Sequence, residues 1–228
     1  MGRFARLTAA GGCFLALALG SAACFAATLP ERLVSADERV REAADGELGG
    51  MDAAAKAKIV PALTGLLKSK DEAVRYYAAR AVGEIGPAAK SAIPVLIKML
   101  NDPGLESNVG LAATDAFGRI GPEAIPYLMK ALKDKDLETR RNAASALGDF
   151  GPAAKAAVPL LVEAAGGKDL GLRQSSVRAL GRIGPDAKMA VPTLILALKD
   201  KDALLQSHAG EALANIGTPE VLKALDKK

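Results

Sequence analysis

The chain is poor in the residue types that most chemistry needs. Among its 228 residues there is one histidine, His208, no tryptophan, and two cysteines, Cys13 and Cys24, both within the first 27 residues. No Gly-rich phosphate loop and no His-x-x-x-His spacing occurs, so neither nucleotide cradling nor an ordinary zinc site has its ligands. A single imidazole makes no catalytic cluster, and His208, three residues past Leu205, reads as a helix-flank residue. The expectation is a protein without catalytic residues, cofactor or metal. Aromatics are only 4% of a chain that is 50% apolar, so the core must be built from Ala, Leu, Ile and Val. No segment alternates with period two over a useful length, whereas apolar residues recur at helical spacing. The fold class read from this is all-α.

The first 27 residues differ from the rest. Arg3 and Arg6 precede an acid-free apolar stretch, LTAAGGCFLALALGSAACFAA, in which Ser21 and Ala23 supply the small residues that a signal peptidase requires. They read as an export signal cleaved near residues 23–27, which sends residues 28–228 to the periplasm or outside the cell. Gly11, Gly12 and Gly20 interrupt the run short of the roughly 20 continuous apolar residues of a membrane span. The box SAAC also resembles that of envelope-anchored bacterial lipoproteins, with Cys24 as the acylated residue, although Ser21 stands where that box has an aliphatic one. Membrane association is expected only through lipidation at Cys24. Cleavage leaves at most one cysteine, so packing rather than a disulfide must hold the exported part. It also removes two arginines and no acid, halving the formal net charge of +4. A nearly neutral remainder has no whole-molecule field for gripping polyanions.

That remainder repeats. EIGP, RIGP, DFGP, RIGP and NIGT place glycines at Gly86, Gly121, Gly151, Gly184 and Gly217, in steps of 35, 30, 33 and 33 residues. The proline opening each leucine-rich run, at Pro61, Pro94, Pro126, Pro159 and Pro192, steps by 33, 32, 33 and 33. A third register is acidic: Asp37, Asp71, Glu106, Asp136, Asp169 and Asp202 each stand three residues before the Val, Leu or Thr that opens a second helix. A short carboxylate there caps free backbone N–H groups and favours the positive end of the helix dipole, worth about 1 kcal/mol each. One residue after each opener come Arg41, Arg75, Arg140 and Arg173, with Gly110 and Gln206 as exceptions. Each arginine lies four residues after its acid, in reach of a local pair or of the neighbouring repeat's acid. An Asp-Arg ladder between repeats is the structural expectation, and a charged binding row is the functional one.

DEAVRYYAARAVGEIGPAAKSAIPVLIKML, DLETRRNAASALGDFGPAAKAAVPLLVEA and DLGLRQSSVRALGRIGPDAKMAVPTLILALKDKD resemble HEAT repeats, particularly the PBS-lyase HEAT-like variety. The resemblance covers residues ~33 to 228. It implies a right-handed α-solenoid of about six helical hairpins, with the leucine-rich helix outside and the VRxxAAxALG helix lining the concave side. Stacked hairpins of this kind share one continuous core that none could bury alone. Within the solenoid, residues 33–69 form a degenerate first repeat, 70–216 the regular ones, and 217–228 a capping helix with Lys223, Lys227 and Lys228 on its polar face. The third repeat is irregular. NDPGLESNVG lengthens its turn, while GPEAIP is three residues shorter than GPAAKSAIP, so a local change of curvature is expected there.

The resemblance is compatible with several functions, and the residues discriminate among them. HEAT-repeat deoxyhypusine hydroxylases carry His-Glu pairs for a di-iron centre, which this chain lacks. Phycobilin lyases act in the cytosol, against the export signal. HEAT-like DNA glycosylases need a basic concave stripe. Positions two, five, six and nine after each opener are those expected to face away from the core. The plus-six column, Arg80, Asp115, Ser145, Arg178 and Glu211, alternates in sign and makes a poor phosphate track. What remains is a non-catalytic scaffold, a monomer that binds a protein or peptide and no nucleic acid. The alternatives are an envelope spacer without a ligand or, further off, a PBS-lyase-like enzyme or its accessory. The expected binding strip joins Tyr76, Leu111, Arg141 and Gln174 of the plus-two column, which ends in Ser207, with Arg80 and Arg178. Tyr and Arg are the residue types that most often anchor interfaces.

Overall fold

The architecture is that of a computed structural model, which describes residues 27–100 and 108–217. The export signal with Cys13 and Cys24, the acid Glu106 and the capping helix beyond Gly217 lie outside the described residues. Twelve α-helices and no strand occur among them: α1 (Leu29–Leu33), α2 (Glu38–Gly50), α3 (Ala53–Leu66), α4 (Glu72–Ile85), α5 (Ile93–Met99), α6 (Asn108–Ile120), α7 (Ile125–Ala131), α8 (Leu137–Asp149), α9 (Val158–Ala165), α10 (Leu170–Ile183), α11 (Val191–Ala197) and α12 (Ala203–Ile216). Odd-numbered first helices pair with even-numbered second helices, making an all-α solenoid. No helix among the described residues is long and apolar enough to cross a membrane.

Local chemistry fixes the helix ends. Asp37, Asp71, Asp136, Asp169 and Asp202 are the N-caps of α2, α4, α8, α10 and α12, each accepting a backbone N–H two or three residues on at 2.7 to 2.9 Å. Asp52 caps α3 in the same way, outside the acidic register. The five repeated glycines all have positive φ, from +53° to +94°, and end second helices at little steric cost; at Gly86, Gly121, Gly151 and Gly184 the chain turns there into the next hairpin. After three of them a seven-residue 3-10 segment leads into the first helix: Gly86–Ala92, Gly151–Ala157 and Gly184–Ala190. Pro94, Pro126, Pro159 and Pro192 each stand second in the helix that follows, where a missing N–H leaves no bond unmade. Pro61 instead falls inside α3.

The length of that lead-in decides how the second helices meet. Where it is seven residues, the second helices on either side pack along their lengths: α4 on α6, α8 on α10, α10 on α12. Small residues make this possible. A Cβ added to Gly148 would stand 2.8 Å from Ala179 Cα, one on Gly181 would stand 2.7 Å from Ala212 Cα, and one on Gly83 3.2 Å from Ala116 Cα. Between α6 and α7 the 3-10 segment shrinks to Pro122–Ala124, and between α2 and α3 only Met51 and Asp52 remain. At both places the flanking second helices splay and touch at few points. The stack is therefore broken between α6 and α8, where a Cβ on Gly118 would meet nothing within 4 Å.

This packing corrects one expectation. The plus-five residues Ala79, Ala144 and Val177 and the plus-nine residues Gly83, Gly148 and Gly181 do not face away from the core but are buried. Where second helices pack side by side, the plus-five and plus-nine positions are covered, and the strip of plus-two and plus-six positions faces solvent between them; beside the splayed joint Thr114 is half-buried and Gly118 exposed.

Candidate functional site

In the N-terminal half that strip forms a groove between α4 and α6. Tyr76 and Arg80 project from α4, one turn apart, and Leu111 and Asp115 project at the same spacing from α6. Because α4 and α6 are held close by Gly83 and Ala116, their long side chains stand as two rims over a floor of alanine and glycine. The result is a shallow groove of about 280 Å³ lined by Tyr76, Arg80, Glu84, Leu111, Asp115 and Arg119. Leu111 is 68% exposed, among the most exposed large apolar residues described. Arg80 and Glu84 also wall a smaller hollow of about 150 Å³ between the splayed α2 and α4.

Tyr76 is held in place from behind. Its ring meets that of Tyr77 edge-on at 5.0 Å, and the Arg41 guanidinium lies 4.2 Å over the Tyr77 ring. Charge along the groove is largely matched internally: Arg119 donates to Glu84 at 2.6 Å, and Arg80 approaches Asp45 at 3.9 Å. Among the described residues no three of His, Cys, Asp and Glu converge as metal ligands do.

The other three residues of the expected strip are occupied between repeats. Arg141 reaches Asp169 through Nε at 2.9 Å and Nη2 at 2.7 Å, and also pairs with Glu138. Gln174 donates to Asp202 at 2.9 Å, and Arg178 to the Ser145 hydroxyl at 3.1 Å. The structure thus brings Tyr76, Arg80 and Leu111 together in one groove and ties Arg141, Gln174 and Arg178 into the joints further along.

The ladder is present but shifted by one column. Asp169 and Asp202 are bonded from the preceding repeat by Arg141 and Gln174, not by the arginines that follow each opener. Those arginines turn back onto their own hairpin. Arg41 donates to the carbonyls of Ser35 and Ala36, Arg75 to those of Ser69 and Lys70, and Arg140 to those of Asp134 and Lys135. The reason is reach: a side chain four residues into a helix lies beside the turn that precedes it, where carbonyls are free. Arg173 also carries an ion pair to the next repeat's turn, at Asp200 (2.8 Å), while donating to the Ala165 carbonyl. One further column joins neighbouring repeats. Ten residues after the openers stand Glu84, Arg119, Asp149 and Arg182, and their alternating sign was visible in the sequence; Glu84–Arg119 and Asp149–Arg182 are ion pairs.

These bonds shift two carboxyls. The Arg141 hydrogen bond holds Asp169 below the ordinary carboxylate range against partial burial, and the same bond raises Arg141. Asp200 is lowered by the backbone N–H of Asp202 first and by Arg173 second. A depressed folded-state pKa means stability that is present above the unfolded value near 4 and lost as pH falls through the lowered value. Melting temperature followed from pH 7 to pH 2 should therefore drop below about pH 4. Asp169→Asn should melt lower at pH 7 and show a flatter acid limb; an acid limb identical to that of the parent would remove Asp169 from this account.

Comparison with known proteins fits this architecture. The HEAT repeats family profile matches residues 26–107, 104–181 and 158–227. No curated protein sequence matches the chain. Among solved structures, an engineered protein is 29% identical, covering 82% of this chain and 94% of that one, with a TM-score of 0.45. A structure on microtubule plus-end tracking by XMAP215, CLIP-170 and EB1 is 19% identical over 83% of this chain and 91% of that one, at a TM-score of 0.57. Kap95p, whose binding induces the switch loops of RanGDP to adopt the GTP-bound conformation, is 12% identical over 82% of this chain and 29% of that one, at a TM-score of 0.56. At such identities the likeness is one of fold, a solenoid typical of protein-binding scaffolds. With repeats in register from end to end and a family profile that spans them, this chain belongs to the HEAT repeats family.

Proposed function

We propose that the chain is a non-catalytic scaffold that binds a protein or peptide segment outside the cytoplasm, along the exposed, concave face of its second helices. The observation that carries the reading is Leu111, an exposed apolar side chain on the rim of a groove whose opposite rim is Tyr76. A lone exposed leucine needs no explanation, but an aromatic and an aliphatic residue facing each other across a small-residue floor form an anchor of the kind that dominates interfaces. Arg80 joins them. Arg141, Gln174 and Arg178 are left out of the binding strip because their polar groups already hold repeats together.

The test begins with a crosslinking pull-down from the native cell envelope. Against the captured partner, Tyr76→Ala and Leu111→Ser should each weaken binding by more than about 1 kcal/mol with helicity unchanged. If both bind normally while substitutions on the outer helices abolish capture, the groove is not the site. Envelope location carries its own expected result: the protein purified from its host begins at a residue after 23 to 27. An intact Met1 on cytosolic protein would sink the export reading, and fatty-acid labelling abolished by Cys24→Ser would select the lipid-anchored form.

A further inference from the structure

The plus-ten column alternates in sign over its four middle members, Glu84, Arg119, Asp149 and Arg182, which stand between Gly50 and Asn215, and of these only the first and last pairs are closed. Both closed pairs cross joints where second helices pack tightly. The middle two, Arg119 and Asp149, stand on either side of the splayed α6–α8 joint with complementary charge. The small-residue register continues across the same joint. Gly118 and Ala146 occupy the positions at which Gly148 meets Ala179 and Gly181 meets Ala212. Gly118 is exposed on a helix, where glycine is a poor helix former and no packing calls for it. The connection itself is short and pivots on Gly121, at φ +94°.

We propose that the α6–α8 joint is a hinge with a second, closed position, in which α8 comes onto α6, Gly118 seats against Ala146, and Arg119 lies between Glu84 and Asp149. The two rigid bodies are the close-packed blocks on either side, α3–α6 and α7–α12. Among the described residues few contacts cross between them, which is what a hinge requires. Among these is the Asn142 side chain, which donates to the Leu100 carbonyl at 2.6 Å. Leu111 and Asp115 lie on α6, so closure alters the approach to the groove, but the hinge stands whether or not the groove binds a partner.

The test uses the full chain carrying Cys13→Ser and Cys24→Ser, with spin labels for pulsed distance measurement. Labels at Lys90→Cys and Lys188→Cys, both exposed, report across the joint, and labels at Lys133→Cys and Lys201→Cys report within the α7–α12 block. The expected result is two distance populations across the joint and one within the block. Gly118→Leu should abolish one of the two, because a side chain there obstructs seating on Ala146, while circular dichroism stays unchanged. Inserting Ala-Lys-Ser between Glu123 and Ala124, which restores a full-length lead-in, should select the population that Gly118→Leu removes. A single distance across the joint, unmoved by Gly118→Leu, overturns the hinge and makes the joint a fixed wedge.

Discussion

Gly148→Leu and Gly181→Leu are expected to destabilise the protein by about 3 kcal/mol or more, while Gly118→Leu leaves it as stable or raises it by up to about 0.8 kcal/mol. The three glycines hold the same place in their repeats, nine residues after the opener, so helix propensity favours leucine equally at each. What differs is the neighbour. A side chain at Gly148 or Gly181 meets backbone of the next second helix at 2.8 or 2.7 Å, and backbone does not rotate away as a side chain does. The helices must separate, opening contacts along their length. At Gly118 nothing stands within 4 Å. Equilibrium unfolding in urea of the three variants beside the parent measures the contrast, and equal losses at all three positions would mean that α6 and α8 pack as tightly as the other pairs.

Truncation after Gly184 is expected to leave a shorter, still helical protein that unfolds at lower denaturant. Among the described residues each hairpin packs on its neighbours in the chain, so removing the last repeat withdraws one interface and one increment of stability without touching the rest. At about 0.1 kcal/mol per residue, the roughly forty residues lost correspond to about 4 kcal/mol, visible as a shift of the urea midpoint and a smaller m-value. The cut bares Val177, Leu180 and Ile183 of α10, which are buried in the whole chain, so the fragment should also be less soluble. A fragment with no helical signal at low temperature would mean that the chain folds as one globular core.

Much of this was legible residue by residue, because the features concerned are local. An aspartate three residues before Val74, Thr139 or Leu172 caps the helix it precedes whatever that helix packs against. A glycine at 86, 151 or 184 permits a positive φ that other residues resist, and a proline eight residues later fits only a first helical turn. Repetition of these marks at a period near 33 residues then determined the solenoid, since a hairpin of this length has no core of its own. Tyr76, Arg80 and Leu111 were found as a group because the plus-two and plus-six positions of neighbouring second helices share a face.

The tertiary structure decided what lies between repeats. In sequence, Arg140 and Arg141 are equivalent claimants for an aspartate some thirty residues away. Only the sideways offset of α8 from α10 hands Asp169 to Arg141 and turns Arg140 back to its own carbonyls. The plus-five and plus-nine positions look solvent-facing on an isolated helix; Ala79, Gly83, Ala144, Gly148, Val177 and Gly181 are buried because another helix lies beside each, whereas Gly118, beside the splayed joint, stays exposed. The missing three residues after Gly121 were visible from the start, but their effect was not. One absent 3-10 turn, about 6 Å of rise, matters only because it sets how far α8 stands from α6. That spacing is a property of two hairpins meeting, and no stretch of sequence shorter than both contains it.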